Sequence, residues 1–296
     1  MATFEHVMMA LQGYIRTGEA LAALGARLGA ASGKLAPSSK LLSKLDAVRA
    51  QHEPDLITGL SADELDTIYA SVRASLRQMV HLVELTDDRA EGWTYSDPGI
   101  LQAQGRSSRL VTRLLTDYAS KDRELARTLS GRSAFLDVGS GVGWISLSMA
   151  QQWPNLRATG IDILDPALEL ARQNLDETGL AGRVTFRKQN VVELADTEAF
   201  DLAFIPAVFI PEEILAEGLY ALRLALKPGG WLFVAAYRIP EDPKLAVLND
   251  LRTTLSGGRV WEIAELEGLV RSVGLDVLGD IGTNSPLHLL AARRGT

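Results

Sequence analysis

Residues 135–144 read Phe-Leu-Asp-Val-Gly-Ser-Gly-Val-Gly-Trp. An apolar run reaches Asp137, glycines follow at 139, 141 and 143, and a helical pattern opens directly after them. Glycines in such a turn let the chain bend tightly and let a ligand lie against bare backbone. Asp162 closes the next apolar run, where a carboxylate can accept both hydroxyls of a ribose. A dinucleotide fingerprint needs G-x-G-x-x-G, and its third glycine would fall at Trp144. No Gly-Lys-Ser/Thr occurs, so a P-loop is excluded. Asp137 would repel a pyrophosphate and suits a ligand with an ammonium group. The plainer alternatives are a bare tight turn for the glycines and a helix cap for Asp162. Asp165 with Pro166 fills that capping role well.

These residues need a scaffold, and the pattern from about residue 133 supplies one. Short apolar runs at 134–138, 157–162, 183–188, 200–205 and 230–236 alternate with helical runs at 142–152, 166–178 and 211–227. Gly229 and Gly230 break the last of these helices before its strand. Such alternation predicts a parallel sheet covered by helices on both faces. A helix at 261–273 then leads to strands at 275–280 and 286–294, joined by a link too short for a parallel crossover, so this pair is antiparallel. The fold class is α/β: a doubly wound, Rossmann-like, seven-stranded sheet, mostly parallel with an antiparallel last strand, plus an all-helical N-terminal domain.

That domain, 1–120, carries helical patterns over 3–30, 39–51 and 61–84, and a further helix over 100–119. Ser61 and Glu64 form a capping box, and Leu65, Ile68, Val72, Leu76, Met79 and Val83 then draw one apolar stripe. Pro98 suits the first turn of the fourth helix. The domain is read as a cap over the site or as a dimerisation element, and 121–296 as the ligand-binding domain.

With those elements in place, residues 125–296 resemble the class I S-adenosylmethionine-dependent methyltransferases. FLDVGSGVG resembles their first motif, TGIDI their second-strand acidic motif, and ALKPGGWLFVAA the strand that ends their parallel set. The resemblance implies S-adenosylmethionine as cofactor. It puts Asp137 near the methionine moiety, with Gly139, Ser140 and Gly141 passing beneath it. Asp162 would hold the ribose and Ile163 would pack on the adenine. The family usually has an acidic residue after the third strand; here Asn190 stands there, followed by Val191. Asn190 can still accept from an exocyclic amine. Ile205 joins the expected cofactor contacts, and Gln104, beside Gly105, is expected to reach the cofactor's carboxylate.

Ligands bind outside the carboxyl ends of such strands. The substrate should therefore meet Pro206 and Phe209 after the fourth strand and Tyr237 after the fifth. In the loop Glu91-Gly92-Trp93-Thr94-Tyr95, Trp93 and Tyr95 are expected to wall it, with interdomain packing as the plainer alternative. The catalytic group is left open; Tyr95, Tyr237 and His6 are the candidates, and Arg238 is either a partner for an acidic substrate or a solvated loop residue. Sequence IPAVF lacks the Asn/Asp-Pro-Pro-aromatic signature of planar-amine methylation, and Asp201 lies too early in its strand for a metal-dependent catechol enzyme. No metal is expected.

Composition narrows the rest. The chain has 296 residues, no cysteine, four histidines and a formal net charge of −7. Disulfide scaffolds, zinc–cysteine sites and thiol catalysis are thereby removed, and a nucleic-acid partner is disfavoured. No apolar run is long enough to span a membrane, and a cytoplasmic location is expected. The expected activity is methyl transfer to O, N or C of a small aromatic or apolar metabolite, in secondary metabolism by association with the family, with a homodimer allowed. The competing readings are a protein or RNA methyltransferase, a silent cofactor-binding module that holds a partner, and an enzyme that uses the sulfonium only for its charge.

Overall fold

The computed structural model describes residues 3–84, 93–282 and 284–296. The chain forms two compact units, Met1–Thr86 with Gln102–Ser107, and Asp87–Leu101 with Ser108–Thr296. In the first, helix α1 (Phe4–Ala31) packs against α2 (Ser39–His52) and α3 (Ala62–Val83). Thr3 caps α1, and Ser61 and Glu64 close the capping box of α3 in both directions. The stripe on α3 is used unevenly. Leu65 is buried, whereas Met79 and Val83 at the far end are exposed. The first half of α1 likewise leaves Phe4, Val7, Met8, Leu11, Tyr14 and Ile15 exposed. Among the described residues no helix is long and apolar enough to cross a membrane.

The expected helix over 100–119 is two helices, α4 (Pro98–Ser107) and α5 (Leu110–Ala119). Pro98 opens α4 as expected. Two further helices lie outside the predicted pattern: α6 (Arg123–Ser130), capped by Asp122, and α10 (Pro243–Leu255), capped by Asp242. Between and after them lie α7 (Trp144–Gln152), α8 (Asp165–Thr178), α9 (Glu212–Ala225) and α11 (Ile263–Ser272).

The second unit holds one seven-stranded sheet. Its strands are β1 (Ala134–Val138), β2 (Arg157–Asp162), β3 (Val184–Lys188), β4 (Phe200–Pro206), β5 (Leu226–Tyr237), β6 (Leu275–Asp280) and β7 (Leu287–Arg294). The spatial order is β3-β2-β1-β4-β5-β7-β6. Strands β1 to β5 pair in parallel, and β7 runs antiparallel to both its neighbours. Strand β5 begins earlier than expected, at Leu226, and carries Pro228-Gly229-Gly230 inside it. Its pairing with β4 shifts between Phe200 and Leu202, and such an irregularity is where a strand tolerates proline.

Alternation along the strands divides the core into two layers. Phe135, Leu202, Phe204, Trp231 and Phe233 face one side, where α5, α6 and α7 supply Leu115, Leu129 and Leu147. Leu136, Ala203, Ile205, Leu232 and Val234 face the other, covered by α9 and α11 through Leu219 and Val270. The chain leaves β1 for β2 and β3 on one side and returns to β4 and β5 on the other. The crevice at the carboxyl end of β1 is therefore the switch point at which this class of sheet takes its ligand.

Gly143, the residue before α7, adopts a φ of +84°, and a Cβ there would lie 2.4 Å from the Phe186 ring. Both the backbone conformation and the space demand glycine. Gly143→Ala should lower the unfolding free energy by about 2–5 kcal/mol. Adding Phe186→Leu should recover part of that loss, because it frees the space and leaves the backbone strain; urea titrations of the two variants check this.

Candidate functional site

The turn from β1 to α7 is held from three directions. The Ser140 amide donates to the Ile161 carbonyl of β2 (3.0 Å), and the Gly143 amide donates back to Ser140 (2.8 Å). From α8, the buried Asn174 side chain donates to the Val142 carbonyl (2.8 Å). Gly141 differs from its neighbours: its φ is +55°, and nothing lies within 4 Å of where a Cβ would be. Its backbone lines open space, as a cradle for a ligand requires.

Two carboxyl groups flank this turn. Asp137 is fully buried. Its Oδ2 accepts from the amide (3.1 Å) and the hydroxyl (2.7 Å) of Ser146 on α7, while its Oδ1 has no hydrogen-bond partner. Burial pushes the Asp137 carboxyl up to about 7; the Ser146 bonds oppose this and the nearby Asp162 charge adds to it. The Ser140 hydroxyl is also buried without a partner. Asp162 accepts from the Gly141 amide (2.7 Å) at Oδ2 and from the Leu164 amide (2.9 Å) at Oδ1. Burial raises its pKa against those backbone donors. Each oxygen keeps a lone pair for a further donor. Asp165 is not the cap of α8: the cap position is Leu164, and Asp165 instead pairs with Lys188 at 2.5 Å. Beside Asp162, Ile163 is 58% exposed, an apolar side chain with one face free for a flat ring.

An aromatic group lies near the same rim. The Trp93 ring meets Tyr95 edge-on at 4.7 Å and Phe209 edge-on at 5.0 Å. Trp93, Tyr95, Trp144 and Leu164 pack on Leu101, Val142 and Ala167. Pro206 is buried, and it would touch a Cβ added at Gly139. Glu91 and Gly92 lie outside the described residues. Tyr237, at the end of β5, is half-buried with the Arg252 guanidinium 4.9 Å from its ring centroid. Burial raises the phenol of Tyr95 and that of Tyr237, the latter against the pull of Arg252.

Other expected residues are placed by contacts within their own unit. Ile205 is fully buried in the sheet core, and Val191 fills the gap beside Gly218, so packing takes up both side chains. The Asn190 side-chain oxygen Oδ1 accepts from the Val192 amide and caps a short 3-10 turn. In the helical unit, Gln104 accepts from Gln78 (3.3 Å), and His6 lies exposed in the first turn of α1. Arg238 pairs with Asp280 (3.0 Å) and donates to the Ser285 and Gly282 carbonyls, which makes it a loop anchor. Among the described residues, no three His, Asp or Glu side chains gather as a metal site.

A family model described as a methyltransferase domain matches residues 135–230. The chain is similar to the ubiquinone biosynthesis O-methyltransferase of Nitrosospira multiformis, at 34% identity over 52% of this chain and 66% of that protein. It is 32% identical to the enzyme of the same name in Bordetella avium, over 53% of this chain and 67% of that one. The chain belongs to the class I S-adenosylmethionine-dependent methyltransferases. It thus spans about two thirds of the length of those two relatives. It is also 35% identical to aclacinomycin 10-hydroxylase RdmB of Streptomyces purpurascens, over 47% of this chain and 39% of that protein. In fold it is similar to an O-methyltransferase family protein of Burkholderia thailandensis, with a TM-score of 0.65 at 17% identity over 100% of this chain and 99% of the other.

S-adenosylmethionine is the methyl donor of this methyltransferase family. The residues present fit it. The orphaned Asp137 Oδ1 and Ser140 hydroxyl offer an acceptor and a donor that no protein group uses, and Gly141 leaves backbone bare beside them. Two supporting residues escaped the sequence reading. Ser146 is signalled by a hydroxyl in the first turn of the helix after the glycines, but Asn174 has no local signal, since the residue it supports is distant in sequence.

The raised Asp137 carboxyl has a consequence for stability. As pH rises from 3.8 towards about 7, the unfolded chain releases this proton while the fold retains it. Stability is therefore lost across that window, on the order of 4 kcal/mol at most, and the loss is complete above it. In urea unfolding without cofactor, Asp137→Asn should gain on the wild type as pH is raised from 5 to 8. A difference that stays constant with pH would contradict this.

Proposed function

We propose that this chain transfers the methyl group of S-adenosylmethionine to a small aromatic or apolar metabolite, without a metal, and that oxygen is the acceptor atom. The edge-on trio of Trp93, Tyr95 and Phe209 carries the reading, because it offers ring faces and edges to a planar acceptor. Oxygen is favoured by the names of the two ubiquinone-pathway relatives. In this reading Asp137 and Ser140 hold the amino-acid end of the donor, Gly139 and Gly141 run beneath it, Asp162 holds the ribose, and Ile163 and Asn190 meet the adenine. Pro206, Phe209, Trp93 and Tyr95 line the acceptor side with Tyr237.

When bound, the sulfonium supplies the electrophile. The chain's residues then have to align the acceptor and exclude water. With their raised pKa values, Tyr95 and Tyr237 stay protonated at neutral pH. They can donate a hydrogen bond to the acceptor oxygen rather than remove its proton. An acceptor with an acidic hydroxyl, such as a phenol or an enol, fits that arrangement.

A second reading has support from the relative named as a hydroxylase. There the sulfonium would be held for its charge and its methyl group kept. Incubation with labelled S-adenosylmethionine and a panel of hydroxylated aromatic compounds separates the two. Labelled product with S-adenosylhomocysteine supports methyl transfer, whereas intact cofactor beside an oxygenated product supports the alternative. By calorimetry, Asp162→Ala should weaken S-adenosylhomocysteine binding by about 2–4 kcal/mol, the worth of charged hydrogen bonds in a desolvated site. An unchanged affinity would move the ribose elsewhere.

We further take residues 1–120 as a cap or dimerisation domain and 121–296 as the cofactor domain. The exposed apolar residues on the first half of α1 support a homodimer. Sedimentation should find twice the monomer mass, and Met8→Glu with Leu11→Glu should reduce it to one; a wild-type monomer would end this part of the reading.

A further inference from the structure

The chain that follows β4 has little sheet to hold it. Strand β4 ends at Pro206, Ala207–Phe209 form a 3-10 turn, and α9 opens at Glu212. Only Ile210 and Pro211 separate Phe209 from that helix. Both are stiff links. The proline ring fixes its own φ, here −55°, and restricts the residue before it to extended backbone. A shift in the first turn of α9 is therefore passed on to Phe209.

The rear of the 3-10 turn rests on the segment that joins α10 to α11. A Cβ at Gly258 would lie 2.5 Å from the Val208 carbonyl oxygen and 2.8 Å from that of Ala207, so two stretches of backbone touch there. Arg259 comes next. Its guanidinium lies over the Trp261 ring, 3.6 Å from the centroid, and Trp261 is buried in the apolar layer that α9 and α11 cover. Two nitrogens of the guanidinium donate to the two oxygens of Glu265, in the first turn of α11; the bond from Nη1 is 3.0 Å long. The remaining nitrogen, Nε, pairs at 3.0 Å with Glu212, in the first turn of α9. A single surface ion pair contributes little. This cation has a bidentate carboxylate, a second carboxylate and a ring face, and together these fix a planar guanidinium in one place. The same stretch of chain reaches the end of β5, since the Arg252 guanidinium of α10 lies 4.9 Å from the Tyr237 ring centroid.

We infer that Arg259 is a positioning residue that decides which acceptors fit, by clamping the start of α9 to the start of α11 and so holding Phe209 in place. The inference rests on the reading that Phe209 and Tyr237 wall the acceptor. Both walls are then tied to residues 252–261, and one segment sets the room between them. A pocket discriminates by shape only as far as its walls resist displacement. Loss of the clamp leaves the cofactor turn untouched and lets the Phe209 wall yield to a wider ring.

Phenol and naphthol test this, because they carry the same hydroxyl on one ring and on two fused rings. Steady-state methylation by the full chain should favour one of them by about tenfold in kcat/KM, the scale on which pocket shape discriminates. Arg259→Gln should cut that preference about fivefold, through KM rather than kcat, and Arg259→Lys should restore part of it. Glu212→Gln should shift the preference in the same direction. Hydrogen exchange should quicken about tenfold at 207–215 in Arg259→Gln and stay unchanged at 139–146. An unaltered affinity for S-adenosylhomocysteine reports that the cofactor domain remains folded. Arg271→Gln breaks an exposed pair with Glu267 on the same α11 and should leave the preference as it is. Arg259→Gln that keeps the wild-type preference overturns the inference, as does Arg271→Gln that shifts it equally or a wild type that takes both rings alike. In those cases the acceptor reading survives. A wild type that methylates neither compound overturns the acceptor reading and this inference together.

Discussion

Asp137 sits wholly inside the protein at the carboxyl end of β1; one of its oxygens accepts both hydrogen bonds of Ser146 and the other accepts none. The first half of that arrangement fixes where α7 begins, because the carboxyl takes an amide from the first turn of the helix, where no intrahelical acceptor exists. Strand and helix are thereby joined through a side chain, and the residues between them have to turn within a short span. That constraint drives Gly139, Gly141 and Gly143 into left-handed conformations. The second half has the opposite sign. An unsatisfied buried oxygen costs about 1–3 kcal/mol, and the raised pKa of the group expresses the same lack of solvation. A ligand that brings a donor or a positive charge to that oxygen recovers what the apo fold gives up.

The remainder of the second unit keeps this turn rigid. Alternating residues of the central strands fill two separate apolar layers, so β1 is packed from both faces and cannot rotate. The turn itself is bonded to β2 through Ile161 and to α8 through Asn174. Asp162 is shaped by the same turn: Gly141 donates to one of its oxygens and Leu164 to the other, which sets the carboxyl plane before any ribose arrives. Preorganised acceptors of this kind lower the ordering cost of binding. The two carboxyl groups are thus one construction, since the turn that starts from Asp137 is also what orients Asp162.

Much of this was legible without coordinates, for a physical reason. Strands β1, β2 and β6 fall at the expected residues because short apolar runs bounded by glycine and charge leave a parallel sheet few alternatives. The capping box on α3 was legible because both of its partners lie within one turn. What failed was either weakly amphipathic or long-range. Helix α10 exposes Leu245, Val247, Leu248 and Leu251, so its pattern carries little periodic signal, although Asp242 and Pro243 mark its start. The break between α4 and α5 occurs in Ser107-Ser108-Arg109, with no glycine or proline to announce it. Ile205 and Val191 were expected at the cofactor from their places after strands. The Ile205 side chain faces the core by alternation along β4, whereas Val191 lies in a short 3-10 turn and packs beside Gly218.

The character of the mouth follows from the same economy of charged groups. Where the donor already carries a positive sulfur, a protein cation beside the reacting atoms would oppose it, and a carboxylate there would stabilise the ground state of the donor as well as its transition state. Apolar and aromatic walls avoid both penalties. In the proposed reading Trp93, Tyr95 and Phe209 supply such walls, and their side-chain polar groups are an indole N–H and a phenol whose proton burial has made harder to remove. In the proposed reading the buried carboxyl groups of Asp137 and Asp162, at the ends of β1 and β2, face groups of the donor that do not react. The separation is a property of the sheet. In the proposed reading, polar groups at the ends of β1 and β2 address the donor and the apolar residues after β4 address the acceptor, with the topological switch between them.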